Sequence, residues 1–270
     1  NVDYKNILRM NIWRKLALNS WTAPREGAIN ARVVLDPENA LRYVEEINST
    51  TDVKITLTHF VLKICGDLLG KFPEINATIR GSKVYQRSSC DLFVHVSKVG
   101  KDGKEVLTGY VIRSINEKSM ALIARELNKA AVTIKEGDDI TFKKVKSIFS
   151  ILPDFLIKPL MFVMQFIQYR LNIWSPLFGT QQDSFGAMML TNIGVFGIKE
   201  AVVPHVPYTS IHNLCAMGAV SDVPVVKDGQ VVAGKEIVFS WTIDHRLLDG
   251  SAAGKMMKVF KERFENTYNR

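Results

Sequence analysis

The chain is short of cysteine. Its 270 residues hold three, Cys65, Cys90 and Cys215, an odd number, widely spaced and each in apolar surroundings. That pattern excludes a disulfide framework or a cysteine-built metal site. It suits buried thiols of a reducing compartment, a cytoplasm or a mitochondrial matrix. Arginine-rich blocks, zinc-finger spacing and aromatic-basic interleaving are missing, so the formal charge of +8 does not argue for nucleic acid. A basic surface attracts any anionic ligand. Long apolar runs are missing as well. The uncharged stretch from Pro159 to Tyr169 falls well below the about 20 residues that a transmembrane helix needs. There is no internal repeat, low-complexity tract or clear linker. The chain starts at Asn1 with no visible signal or transit segment, which reads as a processed or truncated product.

What is present is an ordinary globular composition, 47% hydrophobic and 23% charged, with ample length for a core. Residues 1–270 read as one domain. Apolar spacing predicts an amphipathic helix over Tyr4 to Trp21 and a strand over Ala28 to Asp36. A helix from Pro37 to about Ile47 follows, capped by Asp36. The strongest helix spans Thr56 to Phe72, with Thr56 or Thr58 as its cap and His59 a structural residue inside it. Strands follow over Lys83 to Gln86, Asp91 to Lys98 and Val106 to Ile112, then a helix over Ser119 to Ala131. Lys227-Asp228-Gly229 reads as a hairpin turn.

Chemistry concentrates in Ser240-Trp241-Thr242-Ile243-Asp244-His245-Arg246-Leu247-Leu248-Asp249-Gly250. The run opens as an apolar strand, breaks into charges, and hands over to helical spacing at Ala252, Met256, Met257 and Phe260. A strand fixes the backbone of a corner histidine while the corner leaves its ring facing a cleft. A lone His245 is more often a satisfied turn residue; Asp249, four residues on, raises the case for chemistry.

His245-Arg246-x-x-Asp249-Gly250 resembles the His-x-x-x-Asp-Gly signature of the acyltransferase component of 2-oxo-acid dehydrogenase complexes and of its structural relative, chloramphenicol acetyltransferase. Further landmarks occur in family order: the Thr56 to Lys63 helix with Phe72-Pro73-Glu74-Ile75-Asn76, Lys118-Ser119 before a helix, and Thr191-Asn192-Ile193-Gly194. The resemblance covers about residues 10 to 266. It implies an α/β fold, a two-layer sandwich with a mixed sheet covered by helices, chloramphenicol acetyltransferase-like and trimeric, with each active site between subunits. It implies acyl transfer between coenzyme A and a dihydrolipoyl thiol or another small acceptor, without a covalent acyl-enzyme. His245 is then the base, and the Thr191 hydroxyl of a neighbouring subunit the oxyanion donor. Asp249 braces the corner, paired with Arg14 of the first helix, and Asn192 and Gly250 support the site. The lipoyl group comes from another domain or protein, and trimers can assemble into a cage. No metal is implied. His205 and His212 match no family catalytic position and read as structural or rim residues.

One segment departs from the family. Residues 149–175 form an apolar insert in which Lys158, Gln165, Gln168 and Asn172 fall at helical spacing, a narrow polar stripe against a wide apolar face. Three readings stay open: a subunit-interface helix, a wall for an acyl chain, or a membrane-surface anchor through Phe155 to Trp174. The rival to an enzyme is a catalytically idle oligomeric scaffold, or a membrane-surface protein, on the same fold.

Overall fold

The computed structural model describes residues 27–80, 82–99, 105–136, 152–174 and 182–267. The expected first helix and Arg14 lie outside them. In chain order come β1 (Ala28–Leu35), α1 (Glu38–Asn48), α2 (Leu57–Lys71), β2 (Ala77–Arg80), β3 (Lys83–Gln86), β4 (Leu92–Val99) and β5 (Glu105–Ile112). Then follow α3 (Met120–Glu136), α4 (Asp154–Gln165), β6 (Met188–Asn192), β7 (Asn213–Met217), β8 (Ser221–Lys227), β9 (Gln230–Asp244) and α5 (Gly250–Glu265).

The described chain divides into two compact units. The larger holds 27–136, 185–205 and 211–267; the smaller holds 152–174, 182–184 and 206–210. In the larger unit the strand order is β1-β9-β7-β6-β4-β5, with β8 also on β9. β7, β6 and β4 run parallel, and the remaining pairings are antiparallel. The sheet is therefore mixed. β9 is its spine, 15 residues long: its first half pairs with β8 through a tight turn, and its second half lies between β1 and β7. The turn has φ of 53° at Asp228 and 78° at Gly229, and two successive positive φ values are what a two-residue hairpin of this hand requires.

Side chains alternate across the sheet, and the two faces differ. Leu92, Val94, Met188, Leu190, Cys215, Met217, Phe239, Trp241 and Ile243 share one core with α1, α2, α3 and α5. The other face carries a smaller cluster of Phe93, Met189, Ile211, Leu214 and Ala216. Among the described residues the four α-helices of this unit thus cover one side, which gives two layers. Phe260 of α5 lies edge-on to Phe239 and Trp241, with centroids 4.9 and 5.2 Å away, a favoured aromatic geometry. The three cysteines are buried and free.

α2 begins at Thr56, where a capping box forms with an uncommon partner. The Thr56 backbone N–H donates to His59 Nδ1 at 3.0 Å, the place a glutamate usually takes. Burial holds the His59 pKa down, which keeps the ring a neutral acceptor. The short β2 was not anticipated, because Ile75-Asn76-Ala77 reads as the end of a turn. It pairs with β3 in a separate two-stranded hairpin.

In the smaller unit, α4 continues into a π-turn over Phe166–Arg170. Ile157, Met161 and Met164 pack with Tyr208. The polar stripe turns partly inward. Gln168 is 2% exposed and Gln165 donates to the Pro207 carbonyl, whereas Phe155 and Phe162 are 74% and 68% exposed. Hydrogen-bonding partners draw the amides inward, and the outward face is largely apolar. Among the described residues no helix is long and apolar enough to cross a membrane.

Candidate active site

β9 ends at Asp244, and the ladder to β1 runs one residue further, where the His245 N–H donates to the Gly27 carbonyl at 2.7 Å. The chain then turns for four residues and enters α5. His245 is exposed. Its Nδ1 lies 2.9 Å from the Leu248 carbonyl oxygen. A carbonyl only accepts, so Nδ1 carries the proton and Nε2 presents its lone pair outward. The corner therefore supplies an oriented base.

Asp249 caps α5. Its carboxylate accepts from the Ala252 N–H at 2.8 Å, satisfying one of the helix's unpaired donors. Among the described residues no cation lies within ion-pair distance of it, and the Arg14 half of the expected pair lies outside them. We expect Asp249→Ala to cost about 1 kcal/mol, read as a lower denaturation midpoint. Gly250 opens the helix, and a Cβ built there meets nothing within 4 Å; nothing in the described chain requires glycine at that position.

The charge cluster at this corner centres instead on Asp244, a residue sequence reasoning passed over. Asp244 is 2% exposed. Arg246 Nε donates to its Oδ1 at 2.9 Å, and the Arg246 backbone N–H donates to the same oxygen. His212 Nδ1 lies 2.8 Å from Oδ2. Burial pushes the Asp244 carboxyl up, but the Arg246 and His212 hydrogen bonds together outweigh it and hold the group well below the ordinary carboxylate range. The Ile79 N–H donates to His212 Nε2, so His212 is a neutral donor to Asp244, structural as expected. His205 is buried too, its Nε2 3.0 Å from the Thr242 carbonyl oxygen. The signal for Asp244 was its place as the last strand residue before a charged corner, two before an arginine.

Thr191 lies on β6, buried, on the face that bears Met189 and Ala216. Asn192 follows, and its Nδ2 donates to the Thr58 hydroxyl at 2.9 Å, which ties the end of β6 to the start of α2. Thr58 was expected only as a possible helix cap.

Strand register shows that His245 and Thr191 do not meet in one chain. Thr191 pairs with Ala216, and Ala216 with Ser240. From Ser240 to His245 is five residues, about 17 Å along the strand, and β6 lies two strands, about 10 Å, from β9. Both side chains together cannot bridge that gap to hold one carbonyl group.

A two-layer mixed α/β sheet that presents an oriented histidine where its longest strand turns into a helix defines a class of catalytic domain. The chain belongs to one family within it: the 2-oxoacid dehydrogenases acyltransferase (catalytic domain) profile matches residues 6–144 and 180–269. It is similar to the probable dihydrolipoyllysine-residue succinyltransferase component of the mitochondrial 2-oxoglutarate dehydrogenase complex of Schizosaccharomyces pombe. The two are 26% identical over 230 residues, 83% of this chain and 40% of that one. It is also 21% identical over 266 residues to the dihydrolipoyllysine-residue acetyltransferase component of the pyruvate dehydrogenase complex of Zymomonas mobilis, 96% of this chain and 50% of that one. The chain thus spans half or less of the length of these curated relatives. Among solved structures, the probable dihydrolipoamide acetyltransferase of Listeria monocytogenes superimposes with a TM-score of 0.66 at 18% identity, covering 98% of each chain. That likeness concerns the fold.

Proposed function

We propose that the chain is an acyltransferase moving an acyl group between coenzyme A and a thiol, with a dihydrolipoyl group carried by another domain or protein as the default acceptor. The observation that carries this reading is the locked tautomer of His245. Its Nε2 is free to take the proton of an attacking thiol and return it to the leaving thiolate. The thiol adds to the thioester carbonyl carbon, the carbonyl pair moves onto oxygen, and Thr191 donates to that oxyanion. The spacing of His245 and Thr191 in one chain favours a site shared between subunits, and hence a homotrimer that can pack into a larger core. Asp249 shapes the corner as the cap of the helix that Gly250 opens, and Asn192 steadies the Thr191 turn. Residues 1–270 act as one catalytic domain with 149–175 inserted; the family profile's resumption on either side of 145–179 supports this. Three free cysteines support a reducing compartment.

Thiol release from short- to long-chain acyl-coenzyme A, with dihydrolipoamide as acceptor, tests the proposal. Silence across the series, with coenzyme A binding also absent by calorimetry, favours the idle scaffold. Thr191→Val removes the hydroxyl at nearly constant shape, and we expect kcat to fall about 10²-fold with little change in KM. The exposed apolar face of α4 supports a second reading, a contact surface over Phe155 to Trp174. Vesicle flotation tests whether lipid covers it, and failure to float would leave protein contact.

A further inference from the structure

His95 matches none of the motifs above, yet register sets it beside Thr191. β4 pairs with β6 in parallel through Leu92↔Met188, Phe93↔Met189 and Val94↔Leu190. One residue further along the two strands stand His95 and Thr191. Leu92 and Val94 share the helix-covered core with Met188 and Leu190, while Phe93 and Met189 share the opposite cluster. By alternation His95 and Thr191 both belong to that opposite face. Phe93 fixes the His95 ring edge-on, with centroids 5.2 Å apart. Phe93 itself lies over Gly109, where an added Cβ would come within 1.8 Å of its ring, and Gly109 is the β5 partner of His95.

The ring is half-buried. Nδ1 is sealed from water and has no hydrogen-bond partner among the described residues. A sealed lone pair costs less than a sealed N–H, which folded proteins rarely tolerate. The proton therefore sits on Nε2, at the open side of the ring. Burial pushes the His95 pKa down to about 4, so the ring stays neutral at physiological pH. A neutral imidazole N–H is a fitting donor to an oxygen that gains charge only during reaction.

The geometry points to His95 as a second oxyanion donor beside Thr191, its Nε2–H hydrogen-bonding the thioester oxygen as the thiol adds. This rests on the acyl-transfer reading. In the step, the new carbon–sulfur bond forms as the carbonyl π pair moves to oxygen. That pair returns as the coenzyme A thiolate leaves, and His245 carries the proton from incoming to outgoing sulfur. His95 gains and loses no proton.

Two conservative variants test this, because glutamine sets its amide nitrogen near the place of Nε2 and asparagine near that of Nδ1. Wild type, His95→Gln, His95→Asn and His245→Ala are compared on one acyl-coenzyme A, with oligomeric mass and melting temperature recorded for each. We expect His95→Asn to lose about 10²-fold in kcat at an unchanged KM, and His95→Gln to stay within about tenfold of wild type. Equal kcat in the two variants, high or low, overturns the role of His95. A loss carried by KM alone overturns it too. Wild-type silence on acyl-coenzyme A overturns the acyl-transfer reading instead, and turnover that persists in His245→Ala overturns His245 as the base, which keeps the failures distinct.

Discussion

His245→Ala should lower kcat by about 10²–10⁴-fold while leaving the fold intact. The ring is exposed and, among the described residues, its one bond goes to the Leu248 carbonyl, so its loss removes the base without opening the core. A shared site adds a sharper expectation. Mixing His245→Ala with Thr191→Val subunits, each poor alone, regenerates sites that take His245 from one chain and Thr191 from its neighbour. Random assembly at equal amounts restores about a quarter of the sites. Complementation measured after co-refolding separates this arrangement from a site held within one chain, which mixing cannot rescue.

Asp244→Ala should be the most damaging change to stability. It removes the acceptor for Arg246 and His212 at once, leaving a 7% exposed histidine without its partner. Losing these charge-assisted hydrogen bonds and leaving the buried His212 N–H without an acceptor costs about 2–4 kcal/mol, for a chain of this size a melting point lower by about 5–10 °C. The pH dependence follows from the depressed Asp244 pKa. The unfolded carboxyl titrates near about 4, so the folded state holds fewer protons below that pH. The stabilisation from Asp244 is full above about pH 4 and is lost as pH falls further. Denaturation of wild type and variant should accordingly differ most above pH 4 and converge in acid. A gap that persists at low pH would show that Asp244 acts by packing alone.

The pattern of what was legible follows from the range of the forces involved. The β1, α2, β5 and β9–α5 elements could be read from the chain because each depends on local periodicity and local punctuation: alternating residues in β1, the Thr56 cap, the Asp228-Gly229 turn. His245, Asp249 and Thr191 were marked by motif spacing, which is also local. The burial of Gln168 was not legible, because a helical wheel tells which residues share a face but not which face their neighbours cover. Asp244 and His95 escaped for the same reason in another form. The value of Asp244 lies in His212, 32 residues away in sequence, and that of His95 in Thr191, on a strand reached only after α3 and α4.

The sequence by itself determined the family, the α/β class and the corner that presents His245, because these rest on short stretches whose conformation is set within a few residues. Only the tertiary structure decided which tautomer His245 holds, that Asp244 rather than Asp249 gathers the charges, and that His245 and Thr191 stand too far apart to act together in one chain. Those depend on strand register across β9, β7 and β6, and register is fixed by long-range pairing of hydrogen bonds and buried faces that no local stretch contains.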